Sequence, residues 1–215
     1  MTYSNLSNNN FQVLLFDLDG TLLDSFSTHY EVYEIVFAHF GIQINKERFL
    51  ETYSPNWYQT YEAFGLPKED WKAADIFWVE EAEKRNPGLL PRVFETLTKL
   101  NNRYTMGLVT SGSKSRVTKD LMRTGIGSFF KTIVTGDDIQ APKPSPESIE
   151  LALLNLGVQA NQVVYIGDAH ADYEMAKAAE VHFIGVSSAF ASLNSNDPEY
   201  SVYPIVDIPD LLGHK

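Results

Sequence analysis

Two carboxylates one residue apart, Asp17 and Asp19, end the apolar run from Phe11 to Phe16 and stand directly before Gly20-Thr21. Paired acids of this kind can divide labour: one attacks an electrophile while its neighbour moves protons. An ordinary Asp-Gly turn closing a strand would account for one of them, and it gains nothing from the other. Three further stretches carry residue types that can act on an anionic group. Thr110-Ser111-Gly112 follows Leu108-Val109 and offers hydroxyls and backbone amides suited to phosphate oxygens, or simply a solvated turn capping a helix. Lys143 lies between Pro142 and Pro144, which restrict the backbone on either side of its charge. Gly167-Asp168-Ala169-His170-Ala171-Asp172 follows Val163–Ile166 and adds two more acids, with Asp172 expected to open a helix as its N-cap or to serve a metal.

These residues share a rim only if the intervening chain builds a parallel sheet. Val13–Phe16 is apolar without alternation, as expected of a strand covered on both faces. Strands are predicted at Tyr104–Val109, Thr132–Thr135, Val163–Ile166 and from Phe183 onward. Helices between them carry buried stripes: Val93, Leu97 and Leu100; Val117, Leu121 and Met122; Ile149, Ala152, Leu153 and Leu156. Ser145-Pro146-Glu147 reads as a helix start. Strand–helix alternation implies an α/β fold with a doubly wound, Rossmann-like parallel sheet, whose ligands bind beyond the carboxyl ends of the strands. The stretch after Asp24 differs: Tyr30, Tyr33, Phe37 and Phe40, then Trp57, Tyr58, Tyr61, Phe64, Trp71, Phe77 and Trp78, read as a compact helical insert. Packing within a helical bundle accounts for most of those aromatics. Pro87-Gly88-Leu89-Leu90-Pro91 marks its end. The expected organisation is a flexible tail over 1–10, a Rossmann-like core over 11–24 and 89–215, and a helical cap over 25–88.

Composition narrows the function classes. With 215 residues, 44% of them hydrophobic, the chain can bury one good core and a smaller unit. A formal charge of −11 gives nucleic acid no general attraction. No segment approaches the roughly 18 uninterrupted apolar residues of a membrane helix, and the polar start does not read as a signal peptide. The chain has no cysteine, which excludes disulfides and thiolate metal sites and fits a cytoplasmic location.

The ordered set Asp17-Leu18-Asp19-Gly20-Thr21, Thr110 or Ser111 after a strand, Lys143, and Gly167-Asp168 with Asp172 resembles the motifs of the haloacid dehalogenase-like hydrolases. The resemblance runs from about Phe11 to Leu212 and is to the phosphatase branch with a helical cap after the first motif, as in phosphoglycolate phosphatase-like and β-phosphoglucomutase-like proteins. Ala169-His170 departs from the small hydroxyl residue often found after the aspartate of the fourth motif; His170 is read as a surface histidine.

The resemblance implies that Asp17 attacks phosphorus to form an aspartyl-phosphate, and that Asp19 protonates the departing alkoxide and later deprotonates water. A phosphate beside a carboxylate at about 4 Å is repelled by on the order of 4 kcal/mol at an effective dielectric of 20, so a divalent cation is required. Oxygen ligands favour Mg²⁺, held by the Asp17 carboxylate, the Asp19 main-chain carbonyl and Asp168. Lys143 is expected to neutralise charge, Thr110, Ser111 and Gly112 to orient the phosphoryl group, and Asp172 to hold Lys143 or a metal-bound water. The implied function is a phosphatase for a small phosphorylated metabolite. A phosphosugar mutase using the same intermediate is the alternative; a dehalogenase has no use for Asp19 as acid, and a non-catalytic binding module has no use for the intact acid set. Substrate choice falls to the cap, where His29, Trp57, Tyr58 and Arg85 are the polar candidates.

Overall fold

A computed structural model describes residues 10–54, 56–190 and 193–213. The tail expected over 1–10 lies, apart from Asn10, outside the described residues. Among them, six strands form one sheet in the order β3-β2-β1-β4-β5-β6, every neighbouring pair parallel. The strands are β1 (Val13–Phe16), β2 (Thr105–Val109), β3 (Phe130–Val134), β4 (Val163–Gly167), β5 (His182–Val186) and β6 (Val202–Tyr203). The short β6 edge was not anticipated from sequence; two residues carry no periodicity.

Alternation along β1 divides the core between two faces. Leu14 and Phe16 pack with α5 (Val93–Asn101), α6 (Lys114–Thr124) and α9 (Ile208–Leu211), whereas Val13 and Leu15 pack with α7 (Glu147–Leu156) and α8 (His170–Ala178). The fold is therefore the expected Rossmann-like α/β sandwich. Two local expectations are corrected. Met122 is 80% exposed, because it lies some 100° round α6 from the buried Leu121. Asp172 sits at the third position of α8 and not at its N-cap; Ala169 caps the helix, and Asp172 Oδ2 reaches back to accept from Ala169 N at 3.0 Å.

Between β1 and α5 the chain leaves the sheet and builds α1 (Phe26–His39), α2 (Lys46–Thr52), α3 (Trp57–Ala63) and α4 (Trp71–Glu83). Val32, Val36, Phe37, Phe49, Tyr61 and Phe64 give these helices a core of their own. The outgoing and returning segments run side by side: Asp24 N donates to Gly88 O and Leu90 N to Leu22 O, both at 2.9 Å. This inserted helical cap stands over the rim where β1 and β4 end.

Candidate active site

Strand order reverses between β1 and β4, which is where a sheet of this type leaves a crevice at its carboxyl edge. Asp17 follows β1 there and Asp168 follows β4. Gly20 makes the close approach between them workable. It adopts φ +81°, and a Cβ at that position would lie 2.3 Å from Asp168 Oδ2. Thr21 Oγ1 donates to Asp168 Oδ1 at 2.9 Å and fixes that carboxylate.

Lys143, only 2% exposed, lies beneath Asp17. Its Nζ donates to Asp17 Oδ1 at 2.6 Å, Asp172 Oδ1 at 2.7 Å and the Tyr165 hydroxyl at 3.0 Å, and that hydroxyl donates in turn to Val109 O at 3.1 Å. Burial opposes its charge, but Asp17 and Asp172 hold the ammonium well above the ordinary lysine range. Burial likewise pushes the Asp17 carboxyl up to about 7 against the pull of Lys143, with Asp172 adding to the rise. Asp168 is raised by burial and then by the negative charge of Asp17.

One carboxylate oxygen each from Asp17, Asp168 and Asp172 lies within 4.8 Å of the others. Three buried acids with one lysine leave negative charge that a cation would relieve, and all-oxygen donors suit a hard divalent ion such as Mg²⁺. Both oxygens of Asp172 are engaged, by Lys143 and by Ala169 N, which makes it the least suited of the three to ligate.

The Asp19 carboxylate points elsewhere. Arg116, in the first turn of α6, donates from Nη2 to Asp19 Oδ2 at 2.5 Å and from Nη1 to Oδ1 at 3.1 Å, a bidentate pair. His29, in the first turn of α1, brings Nε2 to 3.3 Å from Asp19 Oδ1. Burial disfavours the charge, yet Arg116 and then His29 hold Asp19 well below the usual carboxylate range. The atom of Asp19 to which the family resemblance assigns an ion is its main-chain carbonyl.

A cavity of about 270 Å³ opens above these groups. Thr110, Ser111 and Gly112 line its core side, and the Ser111 hydroxyl is buried there without a protein partner. On the cap side, helical spacing sends His29 and Tyr33 of α1, Trp57 and Tyr61 of α3, and Asp75, Trp78 and Val79 of α4 to one wall. The sequence-named groups Asp17, Asp19, Thr110, Ser111, Gly112 and Asp168 thus meet at one cavity, with Lys143 and Asp172 directly below.

A sequence profile of the haloacid dehalogenase-like hydrolases matches residues 14–186. The chain belongs to that family. It is 32% identical over 209 residues to the pyrophosphatase PpaX of Bacillus velezensis, covering 94% of this chain and 96% of that protein. It is 29% identical over 213 residues to the phosphoglycolate phosphatase of Yersinia pseudotuberculosis, covering 92% and 91% of the two chains. A haloacid dehalogenase-like family hydrolase of Streptococcus pneumoniae superposes with a TM-score of 0.79 at 19% identity, over 94% of this chain and 98% of that one, which shows a shared fold.

The cap candidates of this family member separate. His29 and Trp57 line the cavity. Tyr58 stacks on Trp71 and donates to Asp75 Oδ2 at 3.2 Å from behind the wall. Arg85 pairs with Glu31 and Glu81 and is not among the cavity-lining residues. His170 is an exposed residue of α8 facing Glu174. Sequence reasoning missed Arg116, Tyr165, Tyr53, Asp75 and Trp78. For Arg116 a signal existed, since a basic residue in the first turn after the Thr110–Gly112 loop runs against helix-dipole preference.

Proposed function

We propose that this protein is a divalent-cation-dependent phosphatase hydrolysing a small phosphorylated metabolite through an aspartyl-phosphate on Asp17. The observation that carries the reading is the position of Asp17: a buried carboxylate with one oxygen on Lys143, beside Asp168, at the floor of a cavity that also presents the unpartnered Ser111 hydroxyl. Mg²⁺ held by Asp17 and Asp168 would neutralise the phosphoryl oxygens and so admit an anionic ester to an acidic site. The other Asp17 oxygen attacks phosphorus, the P–O bond to the alcohol breaks, and the alcohol departs with a proton. Water then attacks the aspartyl-phosphate, losing its proton to a base, and inorganic phosphate is released. Ser111, Thr110 and the Gly112 region orient the phosphoryl oxygens, and Lys143 offsets charge gathering on Asp17.

Asp19 serves as the proton carrier. Paired with Arg116 it is ionised, which suits it to take the proton from water in the second half. Delivering a proton in the first half requires its carboxyl to part from Arg116 as substrate enters. Residues 25–88 act as the cap over a core of 11–24 and 89–215, keeping bulk water from the intermediate.

Asp17→Asn tests the reading. Release of inorganic phosphate from p-nitrophenyl phosphate with Mg²⁺ should vanish while circular dichroism and Tm stay near wild type; undiminished turnover would sink the assignment. Analysis of products from hexose phosphates separates hydrolysis from mutase chemistry, which would return an isomerised hexose phosphate instead of free sugar.

A further inference from the structure

The cavity has two unlike halves. Its floor is built for a phosphoryl group, as set out above. Its cap wall is aromatic, from Tyr33, Tyr53, Trp57, Tyr61 and Trp78, and among the described residues lining that wall there is no lysine or arginine. Its one formally charged side chain is Asp75. Two basic side chains that line the same cavity are engaged by other partners: Arg116 by Asp19 and Asp120, and His29 by Asp19 and the Tyr53 hydroxyl.

Three polar atoms on the wall lack a partner: the indole nitrogens of Trp57 and Trp78, and Oδ1 of Asp75. The indole nitrogen of Trp78 and Oδ1 of Asp75 are both buried with no hydrogen bond, although each side chain faces the cavity. They lie one helical turn apart on α4, giving one donor and one acceptor on the same face. Unmet buried groups of this kind are costly until a ligand meets them. Asp75 already takes the Tyr58 hydroxyl on Oδ2, and as a carboxylate acceptor it favours a ligand that brings a hydrogen-bond donor or a positive charge over one that brings a negative charge.

We infer that the substrate is the phosphate monoester of a ring-bearing alcohol, uncharged or cationic, whose ring stacks on the aromatic wall and whose polar edge meets Trp78 Nε1 and Asp75 Oδ1. This rests on the phosphatase reading and deepens it. A leaving group with its own carboxylate or phosphate finds no free cation on that wall and faces Asp75 instead. The chain therefore diverges in specificity from the relatives named for pyrophosphate and phosphoglycolate, while sharing their family. A cavity of about 270 Å³ accommodates a phosphate with a leaving group of ring size and excludes a polymer.

The test compares benzyl phosphate and pyridylmethyl phosphate with phosphoglycolate, all esters of primary alcohols, and with inorganic pyrophosphate, using the full chain and Mg²⁺. We expect kcat/KM for the ring esters to exceed that for the two anionic-leaving-group substrates at least about tenfold, the discrimination a few matched contacts supply. Asp75→Asn should narrow the gap between the pyridylmethyl ester and phosphoglycolate, and Trp78→Leu should raise KM for the ring esters. Equal or better turnover of phosphoglycolate or pyrophosphate overturns the inference and leaves the phosphatase reading standing. Absence of turnover on all four overturns the phosphatase reading, and binding then decides the inference. Saturable quenching of tryptophan fluorescence by benzyl phosphate but not by phosphoglycolate upholds it, and the reverse or equal quenching refutes it.

Discussion

Replacing Lys143 by methionine removes the one ammonium that lies between Asp17 and Asp172, at 2.6 and 2.7 Å, and leaves the Tyr165 hydroxyl without its donor. Methionine fills similar volume, so the loss is electrostatic and not a cavity. Three acids whose oxygens approach within 4.8 Å then share a buried site with no compensating charge. Removing one partner of a buried ion pair costs about 3–5 kcal/mol. For a chain of this size each kcal/mol lowers Tm by roughly 2–4 °C, so the variant should melt about 6–20 °C below wild type. The measurement is thermal unfolding followed by circular dichroism with chelator present, where no divalent ion substitutes for the lost charge. Lys131→Met, on an exposed residue, is the control and should stay within about 0.5 kcal/mol of wild type. A Lys143→Met variant melting within roughly 3 °C of wild type would refute the claim that this lysine neutralises the acid cluster.

Divalent cation should raise stability through the same cluster: at about one hundred times its Kd, Mg²⁺ contributes about 2.7 kcal/mol, seen as an upward Tm shift that Asp168→Asn abolishes. Gly20→Ala should cost more than Gly41→Ala in a urea melt. Both positions have positive φ, but only the Gly20 Cβ meets an atom, Asp168 Oδ2 at 2.3 Å, so Gly20→Ala should also lose the Mg²⁺-induced Tm shift while Gly41→Ala keeps it. Asp138 accepts from the Thr135 hydroxyl and amide at 2.6 and 2.9 Å, and these bonds, the hydroxyl's first, hold its pKa below the ordinary carboxylate value. Its folded pKa is depressed, so the stabilisation is present above the unfolded value of about 3.9 and is lost as pH falls through the folded one. The stability deficit of Asp138→Asn should accordingly be constant near neutral pH and shrink only below about pH 4; a deficit that grew on acidification would contradict this.

The sequence by itself determined the alternation of strands and helices, and with it the rim that gathers Asp17, Ser111 and Asp168. Uninterrupted apolar runs such as Val13–Phe16 are legible because burial on both faces leaves no other composition stable. The role of Lys143 as cation for the acids came from the family resemblance and not from its setting between two prolines. Tertiary structure alone decided which charges pair. Arg116 and Asp19 stand 97 residues apart, and their bidentate contact depends on β1 and β2 being neighbours and on α6 starting at the same edge. The fate of the aromatic insert was open for the same reason. Spacing at three and four residues gives each helix a face, but only the packing of α1, α3 and α4 against one another determines that His29, Trp57, Asp75 and Trp78 turn to the cavity while Tyr58 and Arg85 do not. Periodicity fixes which side chains share a side of an element, whereas the direction that side faces is set by long-range contacts that no local pattern encodes.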